Sequence, residues 1–314
     1  MSSTPQDPTD TTLVDAQVEA DARTERRRNL KPERSRSGGV WWRHALAILA
    51  LVYALFPILF IVSSAFNNSG TLQTSSLIPS NPGVQNFVDL FNDPARPFWT
   101  WFRNSVIICL IATAFTVLLG ACAAFAFSRL RWKGRRTGLL LILLIQMFPA
   151  LLAFVALYIT FARVGDIIPQ LGLNTLAGLM LVYLGGAMGA NIWLLKGYFD
   201  TVPTSLDEAA KLDGASHARI FFTVILRLVT PILATVGILA FVGLWGEFLL
   251  ASIFLTNVDS QTLAVGLWAT READKNALFG QFVAGALIAS LPVILVYLAL
   301  QKQLVGGLTS GSVK

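Results

Sequence analysis

Six long apolar runs constrain what this chain can fold into more than any other feature of its sequence. Each is about twenty residues long, the length that an α-helix needs to cross the hydrocarbon core of a bilayer. Only 13% of the residues are charged, against roughly 25% in soluble domains, and the mean hydropathy is +0.63. The sequence therefore predicts an all-α membrane protein with six transmembrane helices. The runs lie near residues 44–65, 104–128, 138–161, 175–196, 229–255 and 278–300.

Lysine and arginine indicate the orientation of these six runs. An even number of spans places both ends of the chain on one side of the membrane. Most of the 24 basic residues lie in the N-terminal segment, after the second run, after the fourth run and in the C-terminal tail, which the positive-inside rule makes cytoplasmic. The exceptions are Arg96, Arg103, Arg163, Arg271 and Lys275. The net charge of +6 therefore reflects the topology of the chain. The basic residues are scattered over membrane-flanking loops, which argues against a nucleic-acid partner.

The two ends of the chain differ from the membrane domain that we place at residues 43–301. Residues 1–42 are rich in Ser, Thr, Pro, Asp, Glu and Arg, and such a segment cannot bury enough apolar surface to order itself. We predict a disordered cytoplasmic tail there, whose basic half either fixes the topology or contacts anionic lipid headgroups. Residues 302–314 are predicted to form a second, short cytoplasmic tail.

Motifs that carry chemistry are absent from the sequence. It contains no G-x-x-x-x-G-K-[ST] phosphate loop, no H-E-x-x-H and no G-x-S-x-G. Cys109 and Cys122 lie in one apolar run, roughly 20 Å apart along a helix, so they cannot form a disulfide with each other. His44 and His217 are far apart in sequence. We therefore predict neither a catalytic site nor a metal site.

The stretch SLDEAAKLDGAS, residues 205–216, is a polar island between the fourth and fifth runs. Ser205 followed three residues later by Glu208 fits a capping box at the start of a helix. Gly214 fits the position just past a helix end, where a left-handed backbone is easiest without a Cβ. The pattern predicts a helix of about two turns, Leu206 to Asp213.

This predicted helix needs support from outside itself. Leu206, Ala209 and Ala210 fall on one narrow face, and small side chains allow close approach by a partner. A helix of eight residues is not stable alone in water, because nucleation is costly and few hydrogen bonds follow. The residues alone leave two explanations open: packing against the chain's own loops, or docking into a groove on a cytoplasmic partner.

The stretch EAAKLDGA resembles the EAA motif of the inner-membrane permease subunits of binding-protein-dependent ABC importers, with Glu208, Ala209, Ala210 and Gly214 at motif positions. Longer stretches, including YLGGAMGANIWLLKGYFDTVPTSLDEAAKLDGA and the terminal QKQLVGGLTSGSVK, are similar to the second permease subunit of maltose and maltodextrin importers. The resemblance covers most of residues 44–314 and implies the type I ABC importer permease fold. One departure is Arg227, which stands where the family usually has proline.

The resemblance implies a role and a set of partners. Residues 205–214 would be the coupling helix, which fits a cleft in an ATPase subunit. The partners would be a second permease, two ATPase subunits that bind ATP and Mg, and an extracytoplasmic sugar-binding protein, in the inner membrane of a prokaryote. The coupling residues would be Ser205, Glu208, Ala209, Ala210, Asp213 and Gly214. Alternatives are another cargo, such as trehalose or a different oligosaccharide, and an autonomous channel or intramembrane enzyme, which the missing motifs disfavour.

Four side chains within the spans are candidates for the translocation path: Gln146, Asn191, Trp245 and Glu247. A carboxylate at the bilayer centre costs on the order of 3 kcal/mol, so it usually faces protein or water. Glu247 therefore lines the path, satisfies a neighbouring helix or sits near the outer interface. Sugar recognition combines aromatic rings with amide or hydroxyl groups, which the other three could supply.

Two further expectations concern small residues and an outer loop. Gly185, Gly186 and Gly189 in the fourth run are expected to allow close helix packing. Residues 256–277 join the last two spans on the outside. The resemblance implies that this loop contacts the sugar-binding protein, and a simple connector is the alternative.

Overall fold

The structure is a computed structural model that describes residues 41–186 and 189–309. This part of the chain is helical, apart from turns, loops and an isolated antiparallel bridge between Asn67 and Pro82. In chain order the helices are α1 (Trp41–Ala65), α2 (Gln85–Asn92), α3 (Phe98–Arg129), α4 (Arg135–Gln146), α5 (Ala150–Ile167), α6 (Leu176–Gly186), α7 (Ala190–Thr201), α8 (Ser205–Leu212), α9 (His217–Leu228), α10 (Thr230–Trp245), α11 (Leu249–Phe254), α12 (Leu263–Ala273) and α13 (Phe279–Thr309).

The chain divides into two units after Phe56. Within the first unit the structure describes only the beginning of α1, and all the other helices belong to the second. The predicted tail 1–42 lies outside the described residues, except for Trp41 and Trp42, with which α1 already begins. The predicted C-terminal tail starts inside α13, which continues to Thr309.

The membrane spans are of two kinds. Helices α1, α3 and α13 are each long and apolar enough to cross a membrane unbroken. Three further pairs, α4 with α5, α6 with α7 and α9 with α10, qualify only when each pair is taken as one span, and each pair is bent by more than 40°. Counted in this way, the described residues contain six spans, in agreement with the all-α six-span prediction.

The third, fourth and fifth spans are broken, a feature on which the sequence analysis made no prediction. Pro149 separates α4 from α5, where its missing N–H and extended backbone cannot continue the helix. Pro231 stands in the first turn of α10, a position that suits proline because the N–H there has no helical partner. The predicted fifth span, 229–255, also contains a break after Trp245, beyond which the short helix α11 starts.

Packing at the α8 end of the molecule joins the second, fourth and fifth spans. Buried side chains of α3, α7, α9 and α10 form one apolar cluster, and Ala210 of α8 packs against it. Within this cluster the rings of Phe125 and Phe221 lie 5.1 Å apart. The residues Ile220–Ile225 form a π-helical turn inside α9, a rare feature that often occurs at functional sites. These contacts provide the support that a two-turn helix needs.

Polar side chains tie loops to helices at the opposite end. The Asn86 amide of α2 donates to the backbone carbonyls of Ser64, Ala65 and Asn67, which satisfies the end of α1. The indole of Trp101 donates to the carbonyl of Val258 at 2.8 Å. These bonds fix the long loop after α1 and the loop before α12 onto the spans.

The glycines of the fourth span pack differently from the prediction. Among the described residues, a Cβ added at Gly185 or Gly186 would meet nothing within 4 Å, and one at Gly189 would lie 3.4 Å from the Gln146 side chain, an ordinary contact. Close packing within this part of the chain therefore does not explain these three glycines. A Cβ at Gly178, in the first turns of the same helix, would lie 2.4 Å from the carbonyl oxygen of Gly172 and 2.8 Å from that of Leu171. The tight glycine of α6 is therefore Gly178.

Substituting Gly178 with alanine is expected to destabilise the protein by about 1–3 kcal/mol, because backbone carbonyls cannot move aside as a flexible side chain would. Thermal denaturation of the purified protein in detergent should show a midpoint lowered by several degrees. Gly185→Ala on the same helix is the matched control and should leave the midpoint within about a degree. Equal midpoints for the two variants would show that the Gly172–Gly178 contact is not tight.

Candidate functional site

The predicted coupling helix exists as α8, Ser205–Leu212, shifted by one residue at each end from the prediction. Its end is a Schellman motif: the Ala215 N–H donates to Ala210 O at 2.9 Å, and the Gly214 N–H donates to Lys211 O at 3.0 Å. Gly214 adopts φ +77°, as the sequence predicted. Because side chains other than glycine rarely adopt this backbone conformation, Gly214 defines where α8 stops.

The predicted capping box at the start of α8 was wrong. The residue before the helix is Thr204, with helical backbone angles and no side-chain cap bond. The N–H groups of Asp207 and Glu208 both donate to the Thr204 carbonyl, at 3.0 and 3.1 Å. Since the backbone already satisfies these donors, the Ser205 hydroxyl has no capping role to fill.

The faces of α8 divide differently from the single narrow face that was predicted. Ala210 faces the apolar cluster, and Asp207 is buried beside it, only 7% exposed. Glu208 and Ala209 are exposed, Leu206 is 40% exposed and Leu212 is 90% exposed. Leu212 was not among the predicted residues, although its place near the helix end suggested an outward side chain. The outward face therefore combines two leucines and an alanine with an unburied carboxylate.

A buried ion pair joins α8 to the end of α3, and it was not among the predicted contacts. Arg129, the last residue of α3, places its Nε 3.1 Å from Oδ2 of Asp207, and these side chains are 7% and 11% exposed. The same guanidinium donates through Nη2 to the carbonyl of Val202, at the end of α7, at 2.5 Å. Next to it, the Ser128 hydroxyl donates to Asp200 of α7 at 2.6 Å. The end of the second span therefore bonds directly to both α7 and α8.

A polar cavity of about 680 Å³ opens between the end of α3 and α8. Its lining contains Arg131, Arg135, Lys211 and His217. Glu208 borders the same cavity, and no ion pair among the described residues includes it. The exposed surface around α8 is therefore mainly basic, with one uncompensated carboxylate.

Glu247 is the best satisfied of the four candidate path residues. Its carboxylate accepts hydrogen bonds from the Tyr183 hydroxyl at 2.6 Å and from the backbone N–H groups of Leu250 and Ala251 at 2.8 and 3.0 Å. These contacts join the fourth span to the start of α11 and satisfy the first N–H groups of that helix. Satisfying a neighbouring helix was one of the three roles left open for Glu247, and the structure shows these contacts.

The other three candidates lie in different surroundings. Trp245 is buried in the core, and its indole donates to the Ala289 carbonyl at 2.9 Å. Asn191 lines a cavity of about 240 Å³ together with Thr116 and Tyr183. Gln146 lines a separate, mostly apolar cavity of about 780 Å³ at the bend of the third span. Gly186 borders both cavities. Tyr183 was not among the predicted residues, because its only signal in the sequence is a hydroxyl in an apolar run.

Much of the outer segment 256–277 folds back onto the spans. One face of α12 is buried, and it includes Leu263, Leu267 and Thr270. Trp268 stays exposed, with the Arg271 guanidinium 5.4 Å from its ring. After α12, the backbone N–H groups of Ala277 and Asn276 hold the pKa of the Asp274 carboxyl below its usual value. The exposed parts of this segment are the loop before α12, the face of α12 that carries Trp268, and the turn at Asp274.

Metal-ligating side chains do not cluster in the described residues: no group of three or more His, Cys, Asp or Glu could hold an ion there. Cys109 is buried and Cys122 is exposed, and both thiols are free.

Comparisons with known proteins agree on one type of protein. The family model for the inner membrane component of binding-protein-dependent transport systems matches residues 97–309. The maltose/maltodextrin transport system permease protein MalG of Vibrio vulnificus is 44% identical over 286 residues, covering 88% of this chain and 96% of the relative. MalG of Escherichia coli K12 is 39% identical over 292 residues, covering 90% and 98%.

Solved structures show the same fold at lower identity. A crystal structure of a bacterial ABC transporter involved in the import of the acidic polysaccharide alginate matches with a TM-score of 0.72 and 24% identity, covering 87% of this chain and 99% of the other. A bacterial alginate ABC transporter in complex with an alginate pentasaccharide-bound periplasmic protein matches with a TM-score of 0.59 and 15% identity, covering 83% and 93%.

Proposed function

This chain belongs to the family of inner membrane components of binding-protein-dependent transport systems, and we propose that it is a permease subunit of an ABC importer for maltose and maltodextrins. It is an integral membrane protein that acts in transport and carries out no chemistry of its own. The cargo assignment is supported by the similarity to MalG over nearly nine-tenths of the chain.

The proposed mechanism rests mainly on the outward face of α8. Leu206, Ala209 and Leu212 expose apolar surface beside the carboxylate of Glu208, which belongs to no ion pair within the described part of the chain, while the opposite face is fixed to the spans. A short apolar helix face with one charge fits a groove on another protein. We propose that this groove belongs to an ATPase subunit on the cytoplasmic side, and that Ser205, Asp213 and Gly214 complete the contact.

The proposed complex contains a second permease, two ATPase subunits and an extracytoplasmic sugar-binding protein. ATP and Mg would bind to the ATPase subunits, and their closure would draw the α8 helices of the two permeases together. The bent spans α4 with α5 and α6 with α7 would then open the path to the outside. Both termini would lie in the cytoplasm of a prokaryotic cell, with the exposed apolar helices in contact with lipid.

We place the translocation path beside Gln146 and Asn191, because both line cavities within the spans. Tyr183 joins them, since its ring borders the smaller cavity while its hydroxyl bonds to Glu247. Glu247 would then shape the path through Tyr183. Trp245 is not retained, because its ring is part of the core.

Uptake of labelled maltose and maltotriose in cells that lack only this chain tests the proposed function. We expect uptake to be lost and to return when the intact gene is restored. Unchanged maltose uptake would contradict the cargo, and the same cells should then be tested with trehalose and other oligosaccharides. Uptake that persists without the ATPase genes would favour an autonomous channel instead.

A further inference from the structure

We propose that Arg129 and Asp207 act as a positioning pair that ties α8 to the second span, so that a displacement of α8 moves α3 together with it. In sequence α8 follows α7 and precedes α9, and α3 lies far upstream. The inference rests on the proposed function, because it assigns a mechanical role within an ATPase-driven permease. It adds a transmission step that the coupling motif does not contain.

The geometry connects three elements through one side chain. The Arg129 guanidinium contacts Asp207 of α8 through Nε and the Val202 carbonyl of α7 through Nη2, at 3.1 and 2.5 Å. Arginine suits this task because its planar group offers several donors in fixed directions. Ser128 adds a second link from α3 to Asp200. The end of α3 therefore has an ion pair to α8 and hydrogen bonds to the segment that leads into it.

Burial makes this pair hard to separate. Only 7% of the Arg129 side chain and 11% of the Asp207 side chain are exposed, the lowest exposures among the ion pairs of the described residues. Pulling α8 away from α3 would break a close contact between two mostly buried opposite charges, although both side chains also border the polar cavity between α3 and α8. Under load, a joint movement of the two helices is therefore favoured over separation.

Apolar contacts beside the pair act in the same direction. Ala124 and Phe125 of α3 belong to the cluster against which Ala210 packs, and the Phe125 ring contacts Phe221 of α9. These contacts alone would hold α8 against the spans. An apolar contact permits sliding, whereas the ion pair specifies one position of α8 along α3 and is therefore suited to transmitting a movement.

Stability alone does not account for the pair. Well-packed apolar residues of similar size often stabilise a protein as well as a buried ion pair, and fixing one arrangement is the best-attested use of such pairs. Nε of Arg129 and Oδ1 of Asp207 each have no hydrogen-bond partner among the described residues, so the pair is a close contact between opposite charges and not a hydrogen bond. These features indicate that the pair serves to fix the position of α8 along α3 more than to stabilise the fold.

The test measures sugar transported per ATP hydrolysed in the purified, reconstituted complex. Arg129→Gln and Asp207→Asn are each expected to lower this ratio at least about fivefold. The reversed pair, Arg129→Asp with Asp207→Arg, should recover at least half of the wild-type ratio. Arg131→Gln is the matched control, because Arg131 lines the adjacent cavity and has no ion pair in the described part of the chain; its ratio should stay within twofold of wild type.

The outcomes separate this inference from the proposed function. A wild-type complex that moves no maltose would contradict the proposed function itself. A wild-type complex that transports, with single variants that keep its ratio, would overturn the positioning role. If the single variants fail to assemble, the reversed pair is the deciding variant. Restored assembly and coupling in the reversed pair would support the positioning role of Arg129 and Asp207, and failure to restore them would overturn it.

Discussion

Replacing Glu208 with lysine is expected to lower maltose uptake at least about thirtyfold while the chain remains in the membrane. Glu208 is exposed in the first turn of α8 and belongs to no ion pair among the described residues. Its charge is therefore available to a partner. Reversing a charge at a docked interface costs about 2–5 kcal/mol or more, which corresponds to a factor of thirty or higher.

The measurement compares uptake with the amount of chain found in the membrane. Asp166→Lys is the matched control, because Asp166 is also an exposed carboxylate outside the ion pairs of the described residues but stands at the far end of α5. We expect near-normal uptake for this control. Maltose-stimulated ATP hydrolysis at the wild-type level in Glu208→Lys would overturn the assignment of α8 as the ATPase contact.

Gly214→Val is expected to reduce uptake about tenfold through the backbone rather than through a clash. A Cβ at Gly214 would meet nothing within 4 Å, but the residue sits at φ +77°. A left-handed backbone costs an ordinary residue roughly 1–2 kcal/mol, and a β-branched one is a stronger outlier. The bonds that close α8 at Ala210 and Lys211 depend on this conformation.

Two variants test whether strain is the cause. Gly214→Asn should keep most of the uptake, because asparagine adopts the left-handed conformation more readily than valine. Gly197→Val, on α7, should also be tolerated, since a Cβ added there would meet no atom of the described residues within 4 Å and the backbone is helical. If all three variants transport equally, the shape of the α8 terminus has no part in coupling.

Local signals made α8 predictable from the sequence. The island at residues 205–216 lies between apolar runs, and its end is specified by Gly214 itself. The cap at the start of α8 was predicted wrongly because Ser205 and Glu208 match a capping box. In the structure the chain already turns at Thr204, whose carbonyl accepts the N–H groups of Asp207 and Glu208. A side-chain motif of this kind indicates that a helix starts nearby, without deciding which residue caps it.

Contacts between distant residues could not be predicted in the same way. In the sequence Arg129 is one of the basic residues after the second run and Asp207 one residue of the polar island, yet the fold buries them together. The bond from Tyr183 to Glu247 likewise joins two spans across 64 residues. A single sequence carries no signal for such pairs, because their partners are chosen by how the helices pack.

The bends in the spans were partly visible in the sequence. Pro149 and Pro231 are helix-breaking residues inside apolar runs, and each marks a break in the structure. Hydropathy averaged over a window passes over such breaks, since the apolar character continues on both sides. The number of spans therefore followed from composition, whereas their continuity depended on individual prolines and glycines.

The most direct measurement is the accumulation of labelled maltose inside proteoliposomes that contain this chain, its second permease and the ATPase subunits, with the sugar-binding protein outside. We expect maltose to accumulate above its external concentration, and this accumulation to require both ATP and this chain. Equilibration of maltose without ATP would indicate a channel. No movement of maltose in the complete system would contradict the assignment of the chain to a maltose importer.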